Sequence, residues 1–256
     1  MKALIAFIKK ELLEQMRSGK LIFTAILFTL VGVMNPAFAK LTPWLLETMA
    51  DSLAESGMNI TEVTVSAMDS WVQFFKNIPL CLIAFVLLES AIFTKEYSSG
   101  TLILSLTKGL SRWKVVIAKS TVLIGLWTLG YVLCFGISYG YSAYFWDNSV
   151  VGSLGFAVFI WWLFGVCILS LTVLASVIAN ANTGVLVGCG GAAAVSYLLG
   201  IIPKVNKYLP TMLTDGNSLI YGKLSPDDYV ISVIITAALS VICFAVSIPL
   251  FNKKQL

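Results

Sequence analysis

The chain has 256 residues, of which 58% are hydrophobic and only 12% are charged. Soluble domains carry about 25% charged residues, so this composition excludes a globule that is free in water. The net charge of +4 is the difference between 17 basic and 13 acidic residues, which is too small an excess to indicate a nucleic-acid partner. Lipid is therefore the main solvent of the chain, and the positions of its few charges become informative.

The first predicted element is an amphipathic helix over residues 2–18. Its apolar positions recur at helical spacing on one stripe, and its basic residues cluster on another, as in helices that lie in the membrane interface. The two sets are Ile5, Ile8, Leu12 and Met16, and Lys2, Lys9, Lys10 and Arg17.

Six segments are long and apolar enough to cross a hydrocarbon core of about 30 Å, which requires about 20 residues. We therefore predict an all-α polytopic membrane protein in which residues 1–256 form a single transmembrane domain. We expect the segment between the last two spans, which carries three prolines, to be broken into short pieces. The predicted spans are residues 21–39, 74–93, 115–146, 154–179, 184–202 and 229–251.

The distribution of Lys and Arg over the loops predicts the orientation, because cytoplasmic loops retain positive charge. With the N-terminus inside, twelve of the 17 basic residues fall on the cytoplasmic side and nine of the 13 acidic residues on the opposite side. We therefore predict a multi-pass protein of a bacterial plasma membrane with both termini in the cytoplasm.

The sequence lacks the residues and motifs that several kinds of catalysis and cofactor binding require. The chain has no His and no P-loop motif, so we expect neither His-based catalysis nor ATP hydrolysis by this chain. The five Cys residues lie in apolar runs without metal-ligand spacing, and we interpret them as buried packing residues. We expect no metal and no cofactor to be bound by the chain itself.

Two Gly-rich runs resemble enzyme motifs on paper. Residues 136–140, GISYG, match G-x-S-x-G, and residues 188–193, GCGGAA, match G-x-G-x-x-A, but both lie inside apolar helices. Without a His base or a preceding strand, we interpret both as helix-packing sequences. The pairs with the G-x-x-x-G spacing that lets helices approach closely are Gly136 with Gly140 and Gly184 with Gly188.

Glu89 is an ionisable residue inside the second predicted span, shortly before the basic exit at Lys95. An acid in a span is costly unless it is paired or faces a protein interior, so such residues are functional candidates. Two interpretations stay open at this point: a structural ion pair, or a role in transport or coupling.

The loop after the second span carries the most information. Its sequence from residue 95 to residue 119 is KEYSSGTLILSLTKGLSRWKVVIAK. Thr101 can begin a short amphipathic helix, Gly109 can end it, and Ser111 can cap the next helix, which continues into span three. An ordinary loop shaped by caps and positive charge is the alternative interpretation.

This loop resembles the permease subunits of ABC-2 type transporters, which carry a pattern like E-x-x-x-G-T-L-x-x-L-L-x-x-P-x-S-R after their second span. The chain departs from that pattern at Gly109, where the family usually has proline, and at Ala118, where it often has glycine. The residues that carry the resemblance are Glu96, Gly100, Thr101, Leu102, Leu104, Leu106, Ser111, Arg112 and Lys119, with Leu104 one position before the first leucine of the L-L pair.

The resemblance implies that residues 95–114 hold a coupling helix that docks on a separate cytoplasmic P-loop ATPase, which would bind ATP and Mg²⁺. It also implies a second permease subunit, either another copy or a homologous chain, that helps to enclose a substrate pathway in the bilayer. The contact itself is expected on residues 100–108, with Glu96 orienting the helix. The residues assigned to ATPase docking are Glu96, Gly100, Thr101, Leu102, Leu104, Leu106, Lys108 and Arg112.

The substrate expected from this resemblance is a hydrophobic or amphipathic peptide, antibiotic or lipid that is exported. Two other functional classes remain as alternatives. One is a secondary transporter driven by an ion gradient, for which Glu89 is the available intramembrane acid. The other is a non-transporting intramembrane protein.

Overall fold

A computed structural model describes residues 2–48, 64–107 and 109–254, and in this part of the chain every regular element is helical. Short 3₁₀ turns at Asn148–Val150 and Pro210–Thr214 join some of the helices. The helices are α1 (Lys2–Arg17), α2 (Lys20–Thr48), α3 (Ala67–Glu89), α4 (Thr94–Ser99), α5 (Thr101–Thr107), α6 (Arg112–Phe145), α7 (Leu154–Ile178), α8 (Asn182–Gly200), α9 (Pro203–Asn206), α10 (Gly216–Ile220) and α11 (Pro226–Lys253).

Six of the described helices are long and apolar enough to cross a membrane: α2, α3, α6, α7, α8 and α11. The predicted all-α polytopic fold is therefore confirmed. The second of these helices starts at Ala67 rather than near residue 74 and ends at Glu89 rather than near residue 93. The chain turns between Glu89 and Thr94, so α4 begins as a separate element.

Two of the spanning helices begin with the same arrangement of a serine and an aspartate three residues later. At the start of α3, the Ser66 N–H donates to Asp69 Oδ2 over 2.8 Å. At the start of α11, the Ser225 N–H donates to Asp228 Oδ2 over 2.8 Å, and Pro226 occupies the first helical position. The capping box defines both helix starts, and at α11 proline also occupies a position that needs no N–H.

The segment between α8 and α11 is broken into short helical pieces, as its prolines predict. It packs back onto the bundle through backbone carbonyls. Trp161 of α7 donates its indole N–H to the Thr214 carbonyl over 2.9 Å, and Tyr229 of α11 donates its hydroxyl to the Asp215 carbonyl over 2.8 Å.

The centre of the bundle is aromatic, and two glycines allow it to close. Phe28 of α2 packs edge-on against Phe85 of α3 and against Trp127 of α6. A β-carbon added at Gly165 of α7 would lie 2.2 Å from the Trp127 ring, and one added at Gly130 would lie 2.9 Å from Phe28. These two positions therefore need glycine for close packing.

The two glycine pairs that the sequence predicted to pack differ from each other in how closely they approach a neighbour. Near Gly136 and Gly140, nothing in the described part of the chain comes within 4 Å of an added β-carbon, so no described helix packs closely against this pair. The physical reason is that this face of α6 points away from the bundle. Gly184 and Gly188 of α8 do approach a neighbour, with Ala179 and Ala175 at 3.1 and 3.4 Å from the added β-carbons.

A series of side-chain hydrogen bonds compensates for a missing backbone hydrogen bond in α2. Pro36 has no N–H to donate to the carbonyl of Gly32, one turn earlier. Ser138 of α6 donates its hydroxyl to that carbonyl over 2.9 Å and accepts from Asn35 Nδ2 over 3.0 Å. Asn77 of α3 donates to Asn35 Oδ1 over 2.9 Å. Ser138, the serine of the G-x-S-x-G run, therefore satisfies a structural need.

We expect Ser138→Ala to lower the free energy of unfolding by about 0.5–2 kcal/mol, because the Gly32 carbonyl loses its donor. Unfolding of the purified protein in detergent measures the change. Ser70→Ala is the matched control: Ser70 is equally buried, but its hydroxyl has no hydrogen-bond partner among the described residues. Equal losses in the two variants would contradict the structural role of Ser138.

Candidate functional site

Both chain termini lie at one end of the bundle, which we call the terminal end; the other is the distal end. The terminal end holds a set of charged and amide side chains from α1, α2, α3, α4 and α6, which we call the ionic network. Its members are Lys10, Glu11, Glu14, Gln15, Lys20, Glu89, Lys95, Glu96 and Lys119.

The centre of the ionic network is Lys119 of α6, which is 1% exposed. Its ammonium nitrogen lies 2.8 Å from Glu11 Oε2 and 3.0 Å from Glu96 Oε2. Lys10 binds the other oxygen of each carboxylate, so two lysines and two glutamates form a ring without net charge. A charge buried this deeply is tolerated only when it is paired in this way. The ring joins α1, α4 and α6.

Glu89 forms the second part of the ionic network. It is the last residue of α3 and is fully buried. Its Oε2 accepts a hydrogen bond of 2.7 Å from Gln15 Nε2 and lies 3.3 Å from Lys20 Nζ, at the start of α2. Glu89 therefore ties α3 to α1 and α2, which is the geometry of a structural ion pair.

The inward side of α1 is polar, which explains how the ionic network forms. Phe7, Glu11 and Gln15 follow one another at a spacing of four residues and are buried against the bundle. Ile5 and Met16, from the apolar stripe, are instead 65% and 57% exposed. Glu11 thus faces the lysine of α6, while Ile5 and Met16 face outward.

Two members of the ionic network, Lys10 and Glu14, keep their charges over a broad range of pH. Burial lowers the pKa of Lys10, but hydrogen bonds to Glu96 and Glu11 outweigh it and raise the pKa above its usual range. Burial likewise raises the pKa of Glu14, but its bond to Lys10 outweighs this and lowers the pKa. The contribution of Lys10 to stability is therefore lost only as pH rises into the alkaline range, and that of Glu14 only as pH falls into the acid range.

Three carboxylates of the ionic network, those of Glu11, Glu14 and Glu96, lie close enough together to be considered as metal ligands. Their chemistry opposes this role. Lys10 Nζ contacts all three carboxylates and Lys119 Nζ contacts two of them. A cation would have to displace two ammonium groups, so this donor set is an ion-pair cluster.

The short helix α5 lies between two glycine turns at the terminal end. Gly100, which ends α4, has a φ of 66°, and Gly109, after α5, has a φ of 89°. Side chains with a β-carbon rarely adopt this left-handed conformation. The two glycines therefore set the direction in which α5 leaves α4 and in which the chain enters α6.

Several predicted docking residues serve the fold instead of an outer surface. Glu96 and Leu102 are 5% and 1% exposed, because the first is bound in the ring and the second packs into the core. Arg112 donates to the carbonyls of Phe251 and Lys254 at the end of α11, over 3.1 and 2.6 Å. Leu102 therefore lacks the exposed surface that direct contact with a partner requires, whereas Glu96 is held in the ring, where it can orient α4 and α5.

The remaining predicted docking residues are distributed over both faces of α5. Thr101 is exposed, whereas Gly100 is half-buried and Leu106 packs partly against the core. Ile103, which the sequence analysis did not single out, is 44% exposed. Lys108 and the side chain of Leu104 lie outside the described part of the chain.

Sequence reasoning also missed a clamp at the C-terminus. Lys254 donates to the carbonyls of Val177 and Ala179, at the end of α7, over 2.8 and 2.7 Å. Its ammonium nitrogen lies 4.3 Å from the centre of the Tyr97 ring of α4, and burial lowers the pKa of Lys254. A lysine just after an apolar helix is a signal for such a cap, since helix C-termini attract cations.

The two sets of contacts tie the α4–α5 segment to the bundle on both sides. Glu96 connects the segment to α1 and α6 through the ring. Tyr97 connects it to α11 by stacking on Phe251, and to α7 by donating its hydroxyl to the Ser176 carbonyl over 3.3 Å. Through these two residues, α4 contacts four helices: α1, α6, α7 and α11.

An apolar cleft of about 310 Å³ lies between α3, α7 and α8. Its walls include Leu82 and Val86 of α3, Phe164 of α7, and Leu186 and Tyr197 of α8. Most of α8 is exposed, since the rest of the described chain covers only one side of it. The cleft can therefore hold an apolar group that arrives from the bilayer or from a neighbouring subunit.

We expect Lys119→Met to lower the free energy of unfolding by about 3–5 kcal/mol, because it leaves Glu11 and Glu96 buried beside a single remaining lysine. Thermal unfolding of the purified protein in detergent measures this loss. Lys253→Met, at an exposed lysine of the same end, is the control and should change stability little. A comparable small effect in both variants would show that the ring does not support the fold.

Comparisons with known proteins agree with this architecture. The sequence pattern of the ABC-2 family transporter proteins matches residues 5–219. The chain is also similar to an uncharacterized transmembrane protein, YxlG, of Bacillus subtilis strain 168, with 24% identity over 222 residues that cover 82% of this chain and 81% of that protein. No solved structure matches the chain significantly. Because the family pattern spans most of the sequence, the chain belongs to the ABC-2 family of transporter membrane proteins.

Proposed function

We propose that the chain is the permease subunit of an ATP-driven exporter and works with a separate ATPase. The observation that carries this proposal is α5, a short helix between two glycine turns, with an exposed Ile103. It follows α4 directly, and Glu96 and Tyr97 of α4 contact four other helices. A docking helix needs an accessible apolar residue and a connection to the spans, and α5 has the first and reaches the second through α4. The chain has no P-loop of its own, so ATP and Mg²⁺ would bind to the partner.

The terminal end faces the cytoplasm in this proposal, in a bacterial plasma membrane. Twelve of the 17 basic residues belong to it when the predicted spans alternate, as the positive-inside rule requires. With that orientation, α5 and both chain termini are on the side where a cytoplasmic ATPase is available.

Movement of the ATPase would reach the spans through the contacts of α4. When the partner pushes α5, Glu96 transmits the force to α6 through Lys119 and to α1 through Lys10. Tyr97 transmits it to α11 and α7 through Phe251 and Lys254. The exposed part of α5 is thus the contact surface, and the buried residues around it are the linkage.

The apolar cleft between α3, α7 and α8 supports a substrate of hydrophobic or amphipathic character, such as a peptide, an antibiotic or a lipid. A second permease subunit, either another copy of this chain or a homologous chain, would cover the exposed side of α8 and enclose the pathway. The outward face of α6 at Gly136 and Gly140 is also free of neighbours in the described chain.

An ion-driven secondary transporter is the less favoured alternative. Its coupling ion would need an available intramembrane acid. Glu89 lies at the very end of α3 and already binds Gln15 and Lys20. No observation favours the second alternative, a non-transporting membrane protein. In such a protein, the exposed Ile103 of α5 would have no partner to contact.

We expect Ile103→Glu to abolish association with the ATPase, because it places a charge at the exposed apolar position of α5. The full-length chain, carrying an affinity tag, is purified from the membranes of its own host. Co-purification of a P-loop ATPase and Mg²⁺-dependent ATP hydrolysis are then measured. The wild type should retain both, and the variant should lose at least nine-tenths of both while it inserts and folds normally.

Val150→Glu is the matched control, since Val150 is 66% exposed but lies at the distal end. It should retain the ATPase at the wild-type level. If Ile103→Glu keeps the ATPase, or if the wild type yields no ATP hydrolysis, the proposed docking on α5 is wrong.

A further inference from the structure

We propose that the outward face of α1 binds anionic phospholipids of the leaflet at the terminal end. The orientation of α1 about its axis is set by its inward-facing polar residues. Glu11 and Gln15 are buried and bound to Lys119 and Glu89. These contacts leave no freedom for α1 to turn its polar side outward, so the opposite face must meet whatever surrounds the protein.

That opposite face is apolar to an extent that water does not favour. Ile5 is 65% exposed, Met16 57%, Leu13 41% and Leu12 40%. These side chains share the outward face of a helix of 16 residues with Lys9, which lies four residues from both Ile5 and Leu13. An amphipathic helix with such a face is stable when it lies in the interface of a bilayer, with its apolar side among the acyl chains.

The charges beside this face are uniformly positive. Lys2, Lys9 and Arg17 are exposed, and in the part of the chain that the structure describes none of them takes part in an ion pair. Glu14, the partly exposed acid of α1, is bound by Lys10 and Lys95. Three positive charges without ion-pair partners among the described residues, on and beside an outward face that also carries exposed apolar residues, are complementary to anionic headgroups over acyl chains.

The connection to the first span places α1 at the right depth. Only Ser18 and Gly19 separate α1 from α2, and Gly19 has a φ of 74°, which turns the chain sharply. Because α2 is a spanning helix that starts at Lys20, the end of α1 lies at the membrane boundary. A lipid headgroup is therefore the anion within reach of Arg17 and its neighbours.

Lipid binding by α1 involves the same helix as the candidate site and does not depend on the proposed function. The two sides of α1 have separate partners: Glu11 and Lys10 hold the ring of the ionic network, while Lys2, Lys9 and Arg17 hold headgroups. Lipid bound to the outward face would therefore help to hold α1 in place, and with it the ring that Glu11 and Lys10 form.

The test measures which lipid lies against α1 in the full-length protein. A fluorophore is attached at Met16→Cys, which is accessible, whereas the five native cysteines are buried. The labelled protein is placed in nanodiscs of phosphatidylcholine and phosphatidylglycerol. A nitroxide quencher is carried either by the phosphatidylglycerol or, at equal mole fraction, by the phosphatidylcholine. No ATPase is needed, so the result is independent of whether the proposed docking on α5 is correct.

We expect phosphatidylglycerol to associate with the labelled site at least about fivefold more strongly than phosphatidylcholine, since each basic residue near an anionic surface contributes about that factor. Combining Lys2→Gln, Lys9→Gln and Arg17→Gln should reduce the ratio to about one, and high salt should reduce it in the wild type. Lys9→Gln alone should give an intermediate ratio, which keeps the test valid if the triple variant folds poorly.

The matched control combines Lys204→Gln, Lys207→Gln and Lys223→Gln, three exposed lysines of the distal end, and should leave the ratio unchanged. Equal quenching by both lipids in the wild type would overturn the proposal. A ratio that persists in the triple α1 variant would also overturn it. Absence of quenching by either lipid would do the same, since it would mean that protein covers this face of α1.

Discussion

The pairing of Lys119 is the constraint on which the terminal end of the protein depends. Its ammonium group is buried in a protein whose surroundings are mainly lipid, where an uncompensated charge costs several kcal/mol. Glu11 and Glu96 compensate it from two different elements, and Lys10 closes the ring. The positions of α1 and α4 relative to α6 therefore follow from one buried lysine. Glu89 extends the same principle to α2 and α3.

The two faces of α1 and the two faces of α5 show how this constraint shapes the surface. In each helix, the residues that find partners inside the protein determine which residues are left exposed on the other side. Inward-facing Glu11 of α1 leaves Ile5 and Met16 exposed, and inward-facing Leu102 of α5 leaves Ile103 exposed. The surfaces proposed for lipid and for an ATPase are thus consequences of internal pairing. The family relationship and the short helix between two glycine turns lead to the same assignment of roles.

Sequence patterns predicted the fold class because lipid imposes simple rules on composition and length. A run of about 20 apolar residues has few alternatives to a spanning helix, and glycines at 100 and 109 mark the turns around α5. The candidate site was predicted less well. The docking pattern placed Leu102 at the contact with a partner, but helical spacing over so few residues does not define which face is inward. The same ambiguity applies to Gly136 and Gly140, which have no close neighbour among the described residues, whereas Gly165 lies against the Trp127 ring.

The sequence by itself determined that the chain crosses a membrane six times as an all-α protein, that it carries a short helix after the second span, and that it has no ATPase motif. These properties depend on local composition and spacing. Only the tertiary structure decided that Glu96 binds Lys10 and Lys119, that Ser138 serves the carbonyl freed by Pro36, and that Lys254 caps α7. Each of these contacts joins residues far apart in the chain, and a side chain's partner across such a distance is selected by the packing of whole helices.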